Sequence, residues 1–168
     1  RDVLGFVELC RRAGLGLILK PGPFIHAEVN YGALPDWTCP LNNPAIEPLL
    51  DGCGQAVNWM GARLDASGKA AESWPLPAPF GPEFLHLVRG WMAQAGEHVI
   101  RPNQAPGGPI IALQIANEGI YSNGQHAPWA YDYSPSALRL FHAFLTHKYG
   151  TLEGYNRLHD SHYSTCEA

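Results

Sequence analysis

The sequence predicts an α/β fold with parallel strands and outer helices, and three observations carry that prediction. Two short apolar runs, Leu15-Gly16-Leu17-Ile18-Leu19-Lys20 and Ile110-Ile111-Ala112-Leu113-Gln114-Ile115-Ala116, stand between glycine and proline breakers, the pattern of strands buried on both faces. Stretches with helical periodicity precede and follow them. The resulting order of helix, strand, loop, helix, strand, loop, helix is βα alternation, which places helices outside a parallel sheet.

Each element has its own local reason. Val3, Leu4, Phe6, Val7, Leu9 and Cys10 fit one helical face, with Asp2 as N-cap and Gly14 as the stop, which predicts a helix over 2–13. The first strand follows and ends at Pro21-Gly22-Pro23. Residues 38–82 then lose periodicity and collect Pro40, Pro44, Pro48, Pro75, Pro77, Pro79 and Pro82. So long an excursion is expected to be functional or disordered, and Trp59 and Trp74 argue against wholesale disorder. Between Pro82 and Val99, Phe84, Leu85, Leu87, Val88, Trp91, Met92 and Ala95 restore a helical stripe. Gly107-Gly108-Pro109 launches the second strand, which ends on Asn117-Glu118-Gly119. After a polar, aromatic loop from Tyr121 to Tyr133, Ser134-Pro135 opens a helix running to Gly150, and Thr151-Leu152-Glu153 begins a last short one.

Composition narrows the class. At 168 residues the chain reads as one domain, 1–168, and 18 glycines with 15 prolines make it loop-rich. A hydrophobic fraction of 46% argues against disorder. No apolar run approaches the ~18 residues of a membrane span, so no membrane partner is expected. A net charge of −4 without a dense Lys/Arg cluster excludes a nucleic-acid footprint. Cys10, Cys39, Cys53 and Cys166 lie far apart with no C-x-x-C; Cys39 and Cys53 could pair across a loop, but free thiols are the expectation. The chain opens on Arg-Asp-Val-Leu in helical periodicity, which reads as an excised piece; the compartment stays open.

In βα architectures chemistry gathers at the carboxyl ends of strands, where the loops converge. The first strand leads into His26-Ala27-Glu28 and the second into Asn117-Glu118. Period-two alternation puts Gln114, Ala116 and Glu118 on one side, so Glu118 falls at the rim of the sheet. Desolvation at an enclosed rim raises a carboxyl's proton affinity, as a general acid at neutral pH requires. Asn117 beside it can donate to a substrate hydroxyl. Taken alone, Asn-Glu equally suits a loop cap and a satisfied turn, and Glu28 a solvated loop. Trp37, Trp59, Trp74 and Trp129 could offer flat faces to sugar C–H groups, although packing is the commoner use of tryptophan.

Leu17 to Glu28, Gly32-Ala33-Leu34-Pro35-Asp36-Trp37 and Gly107 to Glu118 together resemble, in order and separation, the β-galactosidases of glycoside hydrolase family 35. Lys148 to Glu153 with Asn156 looks more like family 42, of the same barrel clan. The resemblance implies a (β/α)8 barrel, of which this chain would hold strands 3 and 4. It implies retaining hydrolysis of terminal β-D-galactosides, so a β-galactoside or oligosaccharide is the expected partner, with no cofactor or metal. It also implies that Glu118 is the acid/base, that Asn117 binds near the sugar's 2-hydroxyl, and that His26, Ala27 and Glu28 line the galactose pocket. The sequence departs from the family pattern at Lys20, usually Arg, Phe24, usually Tyr, and His26, often Asn or Cys.

The family's nucleophile belongs after strand 7, and such a barrel needs ~250 residues. No segment beyond Glu118 reads as three further strands, and Glu153 and Glu167 stand in helical or terminal context, so the nucleophile is expected outside this chain. Two other readings fit part of the sequence. His26-Ala27-Glu28 matches half of a zinc deaminase signature, but the Pro-Cys-x-x-Cys half is missing. A carbohydrate-binding or inactive barrel fragment would use the same pocket residues without cleavage.

Overall fold

A computed structural model describes residues 2–23, 30–59, 63–64, 70–71, 74–115 and 128–165. Helix α1 spans Val3–Arg12, and the Asp2 carboxylate accepts the Gly5 amide at 2.8 Å. Arg11 and Arg12 occupy the last turn, where cations complement the helix dipole. The chain leaves the helix through Gly14 at φ +66°, a conformation that glycine adopts without strain. It then enters β1, Leu17–Leu19, which pairs in parallel with β4, Ile110–Leu113. The register sets Leu17 against Ile110, Ile18 against Ala112 and Leu19 against Leu113, with one irregularity after Leu17. Helix α2, Pro82–Ala95, lies between the two strands in sequence, so the expected βαβ order holds. A single π turn, Gly96–Ile100, and a 3₁₀ turn, Arg101–Asn103, continue α2 towards β4.

The strands differ from expectation in burial. Ile18 is 60% exposed and Ile111 63%, and of β4 only Ile110 is fully buried. A strand face is buried only where another layer or strand covers it, and among the described residues β1 and β4 form a two-stranded sheet extended only by an isolated bridge from Gln104 to Ile110.

The main core lies instead in the proline-rich excursion. Leu49, Val57 and Leu76 are buried, and their backbones close a ring of three hydrogen bonds: Leu49 N–H donates to Leu76, Leu76 to Val57, and Val57 to Leu49, at 2.8 to 2.9 Å. Each of the three segments thus satisfies another's backbone, which is what lets irregular chain be buried. Tyr31, Leu34, Cys39, Ile46, Trp59, Trp74, Phe84 and Tyr131 complete the cluster. A small antiparallel pair, β2 Arg63–Leu64 with β3 Ala70–Ala71, belongs to the same excursion. Cys10, Cys39 and Cys53 are free thiols.

Helix α3, Pro135–Tyr149, is capped by Ser134, and α4, Leu152–His159, by Thr151, whose hydroxyl accepts the Gly154 amide at 3.1 Å. Glu153 lies in the first turn of α4, where its backbone amide and the Thr151 hydroxyl hold its carboxyl below the usual carboxylate value. Glu153 thus stands in the helical context that the sequence predicts. No described helix is long and apolar enough to cross a membrane.

Candidate functional site

The two strands that lead into the candidate residues end side by side. The Gln114 amide donates to the Leu19 carbonyl at 2.9 Å, which aligns the exits of β4 and β1 at one edge. At the opposite edge, the Arg11 guanidinium donates to the Asn103 side chain at 2.6 Å, joining the end of α1 to the turn before β4. Gly14 and Arg101 therefore belong to the amino ends of the strands, as βα order requires. His26, Ala27, Glu28, Asn117 and Glu118 lie outside the described residues. What the structure does describe is the frame on either side of them.

That frame is held by the excursion. Tyr31, three residues after Glu28 in sequence, stacks on Trp74 at 4.5 Å between ring centroids and 8° between planes. Its hydroxyl donates to the Pro75 carbonyl at 2.5 Å. Tyr31, Gly32 and Ala33 all have positive φ, so the chain makes a left-handed corner here that packing must sustain. On the other side, Tyr131 joins the same buried cluster. Asp132 accepts from the Ser134 amide and hydroxyl, each at 2.8 Å, and more weakly from the Leu50 amide at 3.4 Å. The excursion thus grips the chain three residues after Glu28 and thirteen after Glu118.

Glu47 makes the second grip, and sequence reasoning missed it. Its carboxylate accepts the Ser136 amide at 3.0 Å and the Ser136 hydroxyl, at the N-terminus of α3. A carboxylate there pairs with the positive end of the helix dipole. The two residues stand 89 apart in sequence, so no local pattern announces the contact. Removing a charged partner from such a half-buried site costs ~1.5–3 kcal/mol. Glu47→Ala is therefore expected to lower the urea midpoint clearly, with Glu47→Gln between it and the parent; an unchanged midpoint in the alanine variant would refute the role.

Of the tryptophans considered for sugar stacking, Trp59 and Trp74 are core, whereas Trp37 and Trp129 are exposed. Among the described residues no group of three or more His, Cys, Asp or Glu could hold a metal ion.

Residues 1–46 match the family described as Glycosyl hydrolases family 35. A protein named Beta-1,2-glucosyltransferase from Ignavibacterium album is 28% identical over 98% of this chain and 20% of its own length. One named Exo-beta-D-glucosaminidase from Pyrococcus horikoshii is 27% identical over 91% and 18%. One named Beta-galactosidase from Mus musculus is 31% identical over 79% and 15%. The chain spans about a fifth or less of the length of these relatives.

Proposed function

We propose that this chain, whose matches support a glycoside hydrolase family 35 β-galactosidase segment, supplies strands 3 and 4 of a (β/α)8 catalytic barrel. The reaction proposed is retaining hydrolysis of terminal β-D-galactosides. The observation that carries this reading is the parallel, adjacent pairing of β1 and β4, the strands that precede His26-Ala27-Glu28 and Asn117-Glu118. Their exposed apolar residues Ile18, Ile111 and Leu113, with Ile115 just past β4, suit a strand pair that sits inside a larger closed sheet.

In this scheme Glu118 protonates the glycosidic oxygen as the aglycone leaves, while a second carboxylate attacks the anomeric carbon. Water then cleaves the glycosyl-enzyme, with Glu118 taking the water's proton. Asn117 binds near the 2-hydroxyl, and His26, Ala27 and Glu28 line the galactose pocket. The second carboxylate must stand ~5–5.5 Å from Glu118, and we assign it to a residue outside 1–168.

Two measurements test the reading. The 168 residues alone are expected to leave a chromogenic β-galactoside intact, because one carboxyl of the pair is missing; turnover by this chain on its own would refute that division. A longer protein carrying the segment is expected to release β-galactose first, followed by NMR, and to prefer the galactoside over the matching β-glucosaminide. The second comparison matters because the relatives carry different sugar names. Binding of galactose without any hydrolysis would instead favour a carbohydrate-binding role.

A further inference from the structure

Asp132 stands where three segments meet: the loop that follows β4, the proline-rich excursion and the start of α3. Its Oδ1 accepts the Ser134 amide at 2.8 Å and the Leu50 amide at 3.4 Å, and its Oδ2 accepts the Ser134 hydroxyl at 2.8 Å. Ser134 is fully buried, and its hydroxyl oxygen in turn accepts the Ala137 amide in the first turn of α3. Beside Asp132, the Tyr133 amide donates to the Leu50 carbonyl at 3.0 Å, so both backbone groups of Leu50 bond to this one dipeptide. Leu49, the next residue, is part of the buried ring that holds the excursion together.

This is more than a helix cap requires. Ser134 alone caps α3, whereas the Leu50 bond lies off the helix and crosses 82 positions. A carboxylate suits the three donors because both of its oxygens accept. An amide in its place keeps the Oδ1 contacts but presents an N–H to the Ser134 hydroxyl, whose own proton then loses its acceptor.

The loop carrying Asn117 and Glu118 therefore has both of its described ends fixed. At the near end the Gln114 amide bonds to Leu19 of β1; at the far end Asp132 and Tyr133 bond to Leu50. Fixing the second end of a loop removes conformations that it could otherwise visit. That matters for proton transfer, since an acid must lie within hydrogen-bond reach of the oxygen it protonates, and a misplacement of about 1 Å can cost ~10²-fold in rate.

We propose that Asp132 is a positioning residue for Glu118, acting by joining the far end of the loop after β4 to the excursion at Leu50. This deepens the glycosidase reading above and rests on it. Asp132 itself transfers no proton and touches no substrate.

The test compares kcat/KM, which reports the first chemical step, for a methyl and a dinitrophenyl β-galactoside in a longer protein that carries this segment. Asp132→Ala is expected to lower the methyl galactoside value by up to ~10²-fold and the dinitrophenyl value much less, because only the alkyl leaving group needs the proton delivered. A merely structural loss leaves less competent enzyme and lowers both values in proportion. Asp132→Asn, which keeps the acceptor for the Leu50 amide, is expected to fall between Asp132→Ala and the parent with the same selectivity. If circular dichroism shows Asp132→Ala unfolded, the asparagine variant decides. Proportional losses on the two substrates, or no loss, overturn the proposal. Glu118→Gln measured alongside separates the two failures. A selective loss there with a proportional loss at position 132 removes Asp132 alone, whereas a proportional loss in Glu118→Gln removes the glycosidase role of Glu118 and the proposal with it.

Discussion

Glu118→Gln, made in a longer protein that carries this segment, is expected to slow hydrolysis of an alkyl or sugar β-galactoside by ~10²–10⁴-fold, the usual contribution of a general acid–base group. The loss follows from the leaving group. An alkoxide departs only as its oxygen is protonated, and glutamine cannot supply that proton. A dinitrophenolate needs little help, so the first chemical step on a dinitrophenyl galactoside should survive much better. The second step then limits turnover, because water lacks its base. Added azide needs no base and should restore turnover, yielding a galactosyl azide of retained β configuration. Substitution of the nucleophile would give a different pattern, losing the first step for every leaving group. Equal loss on all substrates with no azide rescue would remove Glu118 from the acid/base role and leave Asn117-Glu118 as a loop cap.

The parts of the fold that were legible are those that depend on short-range chemistry. Asp2, Gly14, Ser134 with Pro135, and Thr151 all cap or stop the helices they flank. The two apolar runs became the two parallel strands. They are more exposed than the sequence predicts, because a strand's neighbours are set by residues far away in sequence, and a run of Ile and Leu signals only the need for cover. The excursion was opaque for a related reason. Its core joins segments near 47–50, 56–59 and 74–78 through isolated bridges, so there is no repeat of two or of 3.6 residues to detect. Prolines at 48, 75 and 77 take part in those bridges although they donate no backbone hydrogen bond. The candidate site residues rest on the family resemblance and lie outside the described residues. The supports beside them left no local signal: Tyr31 on Trp74 and Glu47 on Ser136 are contacts across 43 and 89 positions, made by tertiary packing alone.

Trp74→Ala is expected to be the most destabilising single change among the described core residues. The side chain is 95% buried in the cluster that includes Tyr31, Leu49, Val57 and Leu76, and it carries the stacked contact with Tyr31. Truncating a buried Trp to Ala costs ~3–5 kcal/mol, which for a domain of this size is a fall of about 6 to 20 °C in melting temperature. Trp74→Phe provides the discriminating comparison. The indole Nε1 of Trp74 is buried without a hydrogen-bond partner among the described residues, so phenylalanine keeps a ring against Tyr31 while removing an N–H that gains no bond there. Its cost should therefore be well below that of alanine. The loss should also reach past the excursion, because the left-handed corner at Tyr31–Ala33 has Trp74 as its packing partner. Resonances of Tyr31 and Tyr131 should shift in the alanine variant and hold nearly still in the phenylalanine one. Coupling with Glu47→Ala is expected too, since both side chains fix the same excursion; strictly additive losses would show that the aromatic stack and the Glu47 grip act on separate units. A Trp74→Ala chain that melts with the parent would mean that the proline-rich excursion is not the core that holds the two candidate loops.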